Sequence, residues 1–188
     1  FAPTVTLEAK SVLYGLLIAA YPFMQFFGAP ILGTLSDRYG RKPMVSMALI
    51  GTCIGYILFA LAIGWQNIYL LFFSRMLPGF TGGNVSIMYS AVSDVSSSEE
   101  KTANFGLIGM AFGIGFILGP ATGGLLADSS VVSWFNPATP FWFTAILTGI
   151  NLVLVQWLFP ETLKEKKDTP FKPFRGLTNI AHSFRSIR

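Results

Sequence analysis

Apolar residues fill this chain in long unbroken blocks, and polar residues are confined to short connections between them. Residues 43–74, 102–127 and 129–160 contain no Asp, Glu, Lys or Arg. Each run exceeds the roughly 20 residues needed to cross a bilayer core. Five spans follow from the pattern, over residues 11–35, 44–65, 68–92, 104–127 and 141–159. None shows the residue-by-residue alternation of a barrel strand, so the pattern predicts helices. The expected fold class is an all-α integral membrane protein. Only 12% of the 188 residues are charged and 52% are hydrophobic, against about 25% charged in an ordinary soluble domain.

The basic residues orient the spans. Arg38, Arg41 and Lys42 fall in the first connection, Lys101 in the third, and Lys164, Lys166, Lys167, Lys172, Arg175, Arg185 and Arg188 follow the last span. Alternation puts these segments on one side, so eleven of the thirteen basic residues share it. The opposite connections, GWQN and DSSVVSWFNPATP, carry none. By the positive-inside rule the shared side is cytoplasmic, including the basic tail. The net charge of +4 is explained in this way and calls for no nucleic-acid partner. An odd span count with an outside start, and Phe1 in place of Met, leads to the expectation of a piece of a longer protein. Residues 1–160 would then be a membrane bundle lacking one preceding helix, with residues 161–188 a basic cytoplasmic linker. The segment 174–188, FRGLTNIAHSFRSIR, suits either a short helix on anionic lipid or a solvated linker.

The inventory of reactive groups is thin. Cys53 is the single cysteine and His182, in the tail, the single histidine, which rules out an intrachain disulfide and supplies no metal site. No span carries a His, a G-x-S-x-G or a pair of acidic residues, so an intramembrane hydrolase lacks its nucleophile and base. No P-loop is present to bind ATP. Neither enzyme activity, a metal nor a cofactor is expected. A channel or structural subunit stays open, but leaves Asp37, Arg75 and the Pro-Gly helix described below without a joint explanation.

The first connection, GTLSDRYGRKP at 33–43, holds the most informative charges. Asp37 sits at the C-terminal end of a helix, where the dipole disfavours an anion, so its placement calls for a cationic partner. Arg38 and Arg41 are near in sequence, Gly40 permits positive φ in a tight turn, and Pro43 suits the first turn of the next helix. A basic loop with turn residues would explain Arg38, Gly40, Arg41, Lys42 and Pro43, but neither Asp37 nor Gly33. In the third span Arg75 lies about eight residues from the outer end, roughly 12 Å at helical rise. An intramembrane Arg costs about 2.5–3.5 kcal/mol on insertion scales. It either faces a cavity or partner, or snorkels to the interface. In the fourth span Gly115, Gly119 and Gly123 recur every four residues and form a smooth face for close helix contact. Pro120 removes one helical hydrogen bond and predicts a kink.

G-x-L-S-D-R-x-G-R-K resembles motif A of the major facilitator superfamily, matched here by Gly33, Leu35, Ser36, Asp37, Arg38, Gly40, Arg41 and Lys42. The resemblance implies a conformational switch between two halves of a transporter, made of Asp37 and Arg41 with Asp94 as third member. Arg75 and Gly79, with Gly82 and Gly83, resemble motif B, whose Arg is linked to proton coupling. Gly106, Gly115, Gly119, Pro120, Gly123 and Gly124 resemble motif C, which marks the antiporter branch. The ending LFPETL and the segment around Gln25, YPFMQFFGAPILGTLSD, are similar to the tetracycline efflux group. GAPILG (28–33) and GPATGG (119–124) also place Pro and Gly alike, as an inverted repeat would.

The fold implied is five helices of a six-helix half-bundle. The function implied is proton-coupled export of a drug or other small amphipathic molecule across the bacterial inner membrane by alternating access. A sugar or metabolite carrier of the same superfamily is the alternative, since motif A is shared across it. The partners implied are the small-molecule substrate, protons, the lipid bilayer and a C-terminal half. Gln25, Asn84 and Tyr89 are candidate substrate-lining residues, although polar residues in membrane helices more often join helix to helix.

Overall fold

A computed structural model describes residues 6–165. The basic tail from residue 166, with the segment 174–188, lies outside the described residues. Six helices follow in order: α1 (Leu7–Tyr39), α2 (Arg41–Gly64), α3 (Ile68–Thr81), α4 (Asn84–Val95), α5 (Lys101–Ala127) and α6 (Thr139–Leu158). Among the described residues α1, α2, α5 and α6 are each long and apolar enough to cross a bilayer. The expected third span is split into α3 and α4, which together supply the fifth crossing.

Local chemistry sets the ends. The Thr6 hydroxyl accepts from the Ala9 N–H at 3.3 Å and caps α1. Asn67 Oδ1 accepts from Leu70 N–H at 3.1 Å and caps α3. At 33 residues α1 overshoots the predicted span at both ends, reaching about 50 Å at helical rise. It stops at Gly40, whose φ of 118° and ψ of 155° belong to the extended region open only to glycine. Positive φ is as the turn requires, and α2 resumes at once with Pro43 in its first turn, as expected.

The split between α3 and α4 is a tightening rather than a loop. Gly83 N–H donates to Phe80 O and Ser86 N–H to Gly83 O, at 3.3 and 3.2 Å, three-residue steps of the 3₁₀ kind. Here α1 lies against the break with backbone almost touching backbone. A Cβ on Gly28 would strike the Phe80 carbonyl, and one on Gly83 would reach Ala29 N at 2.6 Å. Gly28 and Gly83 thus allow an approach that any other residue would prevent.

α2 packs against both α3 and α6, and α1 against α3 and α4. Leu32, Met44, Val45, Leu49 and Ile87 form the buried core, flanked by Leu35, Met88, Leu152 and Val155. That core sits at the end of the bundle near the 33–43 connection. Elsewhere large apolar side chains face outward, including Phe23, Phe26, Phe116, Ile117 and Trp157, as lipid contact demands of a spanning bundle. α5 has no buried residue at all.

Candidate functional site

Two helix ends meet at Gly40 with the wrong charge for their dipoles. Asp37 stands in the last turn of α1 and Arg41 opens α2, an anion at a negative end and a cation at a positive one. Each offsets the other: Arg41 Nη1 lies 2.6 Å from Asp37 Oδ1. Arg41 Nε donates to Asp94 Oδ2 at 3.0 Å, and Nη1 donates to Ser36 Oγ at 2.6 Å. Ser36 in turn donates to Gly33 O at 2.7 Å. The Arg41 side chain is 5% exposed, whereas Asp37 and Asp94 are 34% and 27% exposed. One desolvated guanidinium is therefore forked between two half-wet carboxylates on different helices.

The structure thus brings Asp37, Arg41 and Asp94 together, with Gly33 reached through Ser36. Arg38 is exposed and stacks over the neighbouring Tyr39 ring at 5.7 Å. Lys42 turns toward α6, donating from Nζ to Gln156 O at 2.8 Å. Gln156 Nε2 donates to Ser46 Oγ at 2.6 Å, closing a second link between α2 and α6.

Glu161, just past α6, is a member that sequence reasoning quoted only as part of the LFPETL ending. Its carboxylate accepts from Arg41 N–H at 2.8 Å, Lys42 N–H at 3.2 Å and Leu163 N–H at 3.0 Å. Burial would raise its pKa, but the N–H groups of Leu163, Arg41, Lys42 and Thr162 outweigh that and hold the carboxyl below the usual glutamate range. The signal available was a lone acidic residue at the end of the last span, on the side of the basic connection.

Arg75 occupies a different level of the bundle. Its guanidinium lies over the Phe59 ring, 4.9 Å from the centroid, within the range of a cation–π contact. Arg75 Nε is buried with no hydrogen-bond partner among the described residues, and Tyr21 and Tyr56 stand within its electrostatic reach. Phe59 was not distinguishable among 18 Phe residues in the sequence. Gly79 is buried a turn further on, its Cα facing the Tyr21 backbone and Met24.

A groove of about 520 Å³ opens beside the α3–α4 break, lined by Pro22, Gln25, Phe26, Ala29, Gly83, Val85, Ser86 and Tyr89. Gln25 and Tyr89 line it, and Asn84 does not. Gln25 Nε2 donates to Gly82 O at 3.1 Å, satisfying a carbonyl at the break. Tyr89 is edge-on to Phe105, with ring centroids 5.5 Å apart. Gly115, Gly119, Gly123 and Gly124 meet nothing within 4 Å, so the smooth face of α5 has no helix against it among the described residues. α5 continues through Pro120 to Ala127.

The long apolar helices define a multi-pass α-helical membrane protein. The sequence profile of the Major Facilitator Superfamily matches residues 1–187, and the chain belongs to that superfamily. It is 41% identical over 153 residues to the class H tetracycline resistance protein of Pasteurella multocida, covering 81% of this chain and 36% of that protein. It is 36% identical over 176 residues to the class C tetracycline resistance protein of Escherichia coli, covering 93% and 41%. It is also 34% identical over 176 residues to major facilitator superfamily domain-containing protein 10 of Bos taurus, covering 90% and 36%. The crystal structure of the human organic anion transporter MFSD10 (TETRAN) superposes with a TM-score of 0.73 at 29% identity, covering 89% of this chain and 37% of that one. The chain therefore spans little more than a third of the length of these relatives.

Proposed function

We propose that this chain is the N-terminal half, without its first helix, of a proton-coupled exporter of tetracycline-like drugs. It would work by alternating access in a bacterial inner membrane, with the 33–43 connection and the tail cytoplasmic. The observation that carries the reading is Arg41 forked between Asp37 and Asp94. Its two carboxylates keep 34% and 27% of their surface exposed, so a partner surface can reach them and exchange the pairing. Residues 1–160 would form the half-bundle and residues 161–188 lead to the C-terminal half.

In this reading the latch of Gly33, Asp37, Arg38, Gly40, Arg41, Lys42 and Asp94 holds one state, and Arg75 beside Gly79 serves proton coupling. An arginine keeps its charge at any accessible pH. Arg75 therefore acts by stabilising the anionic form of a neighbouring acid, and its buried Nε, without a hydrogen-bond partner among the described residues, is available to such a group. Gly115, Gly119, Pro120, Gly123 and Gly124 supply the face on which the other half slides. Gln25 and Tyr89 line the drug path, and Asn84 flanks the break that shapes it. Protons supply the driving force, and no cofactor or catalytic step is involved.

The test is drug susceptibility of a pump-deficient bacterium carrying the full-length transporter. Tetracycline resistance that disappears in Asp37→Asn and Arg75→Ala, at equal protein levels, supports the reading. The likeness to MFSD10 favours a second reading, an organic anion carrier in which Arg75 meets the substrate's charge. That reading gains if tetracycline is not exported while a fluorescent organic anion is.

A further inference from the structure

α2 begins with Arg41 and Lys42, has no acidic residue in its first turn, and receives no side-chain cap from its own N-cap residue, Gly40. Two cations thus occupy a helix end that carries the positive pole of the dipole and unpaired N–H groups. The missing cap comes from the other end of the chain. Glu161, about 120 residues away, places Oε1 at 2.8 Å from Arg41 N and Oε2 at 3.2 Å from Lys42 N. Glycine at position 40 supplies the φ of 118° that any other residue would adopt with strain, and a Cβ there would press on Glu161 Oε2. Thr162, the next residue, is buried.

We propose that Glu161 is a positioning residue of the latch: by capping α2 it fixes the backbone from which the Arg41 side chain forks to Asp37 and Asp94. Glu161 makes no bond to that guanidinium. It acts on the atoms that carry it, and it is the point where the segment after α6 grips the latch. A displacement of that segment pulls the carboxylate from the α2 terminus, frees Gly40 and releases the aim of Arg41. The Lys42 and Gln156 bonds join the same two helices, so the grip is a short seam rather than a single contact. This inference rests on the latch reading above.

The experiment is gradient-driven drug efflux in everted vesicles carrying the full-length transporter, with maximal rate and half-saturating drug concentration measured separately. Glu161→Gln keeps the shape and removes the charge. It lowers the maximal rate about fivefold, the effect of weakening two charge-assisted bonds, and leaves half-saturation unchanged. Glu161→Asp, with charge but less reach, gives an intermediate rate, and serves alone should Glu161→Gln fail to accumulate. Full rate in the Glu161 variants beside a slow Asp37→Asn overturns the role of Glu161 and leaves the latch standing. Full rate in Asp37→Asn as well overturns the latch reading itself.

Discussion

Arg41 Nε and Asp94 Oδ2 lie 3.0 Å apart across 53 residues of chain, joining the start of α2 to the end of α4. The contact uses one edge of a planar fork whose other nitrogen serves Asp37 and Ser36. Lysine offers a compact point of charge without the planar fork that here spans both carboxylates. Arg41→Lys is therefore expected to behave like Arg41→Ala in drug efflux, with loss of about tenfold or more, since losing the forked hydrogen bonds of a desolvated guanidinium costs on the order of 1.5–3 kcal/mol. A lysine variant with near-normal efflux would show that charge alone suffices.

Arg75 over Phe59 yields a second expectation. A cation–π contact at a partly desolvated site is worth about 0.5–2 kcal/mol. Phe59→Leu should lower gradient-driven efflux by a few fold while Arg75→Ala abolishes it, both with drug binding retained. Measuring drug binding at equilibrium beside transport separates the two effects.

Glycines at two places differ in what a methyl group would meet. At Gly28 it meets the Phe80 carbonyl, whereas at Gly119 it meets open space. Gly28→Ala forces α1 from the α3–α4 break and should cost about 1–3 kcal/mol, as overpacking does, seen as a lower melting temperature. Gly119→Ala should leave melting nearly unchanged and, on the proposal that the other half slides on this face, lower efflux. Equal melting of both variants would remove the close crossing as a stabilising feature.

Glu161 sets a pH dependence. Its carboxyl is held below the usual glutamate value, so its stabilisation is fully present above that value and is lost as pH falls through the lower, folded-state one. Comparing wild type with Glu161→Gln isolates Glu161 from the other carboxylates. Wild type should lose its melting-temperature advantage over Glu161→Gln as pH falls from roughly 5 to 3. A constant advantage across that range would mean the carboxylate contributes nothing through its charge.

Much of this was readable in the chain. Scarcity made it so: where charges are rare, Asp37, Arg41, Asp94 and Arg75 stand out against their surroundings, and uncharged runs mark the spans. What escaped depends on distance or on sameness. Gly82 and Gly83 look like part of one apolar run, so the break between α3 and α4 was invisible. Glu161 reaches α2 only after the helices are packed, and no local pattern links residues about 120 positions apart. Ser36 was legible as a motif match, but its bond to Arg41 came from the turn geometry at Gly40. The glycine face of α5 was legible as a smooth stripe, and no helix lies against it among the described residues.

The most direct test of the central claim is tetracycline accumulation by everted vesicles of the full-length transporter, with a proton gradient imposed and then collapsed. The account predicts accumulation that builds with the gradient, stops on its collapse, and is missing in Asp37→Asn. Accumulation that persists after collapse, or that Asp37→Asn leaves intact, would contradict it.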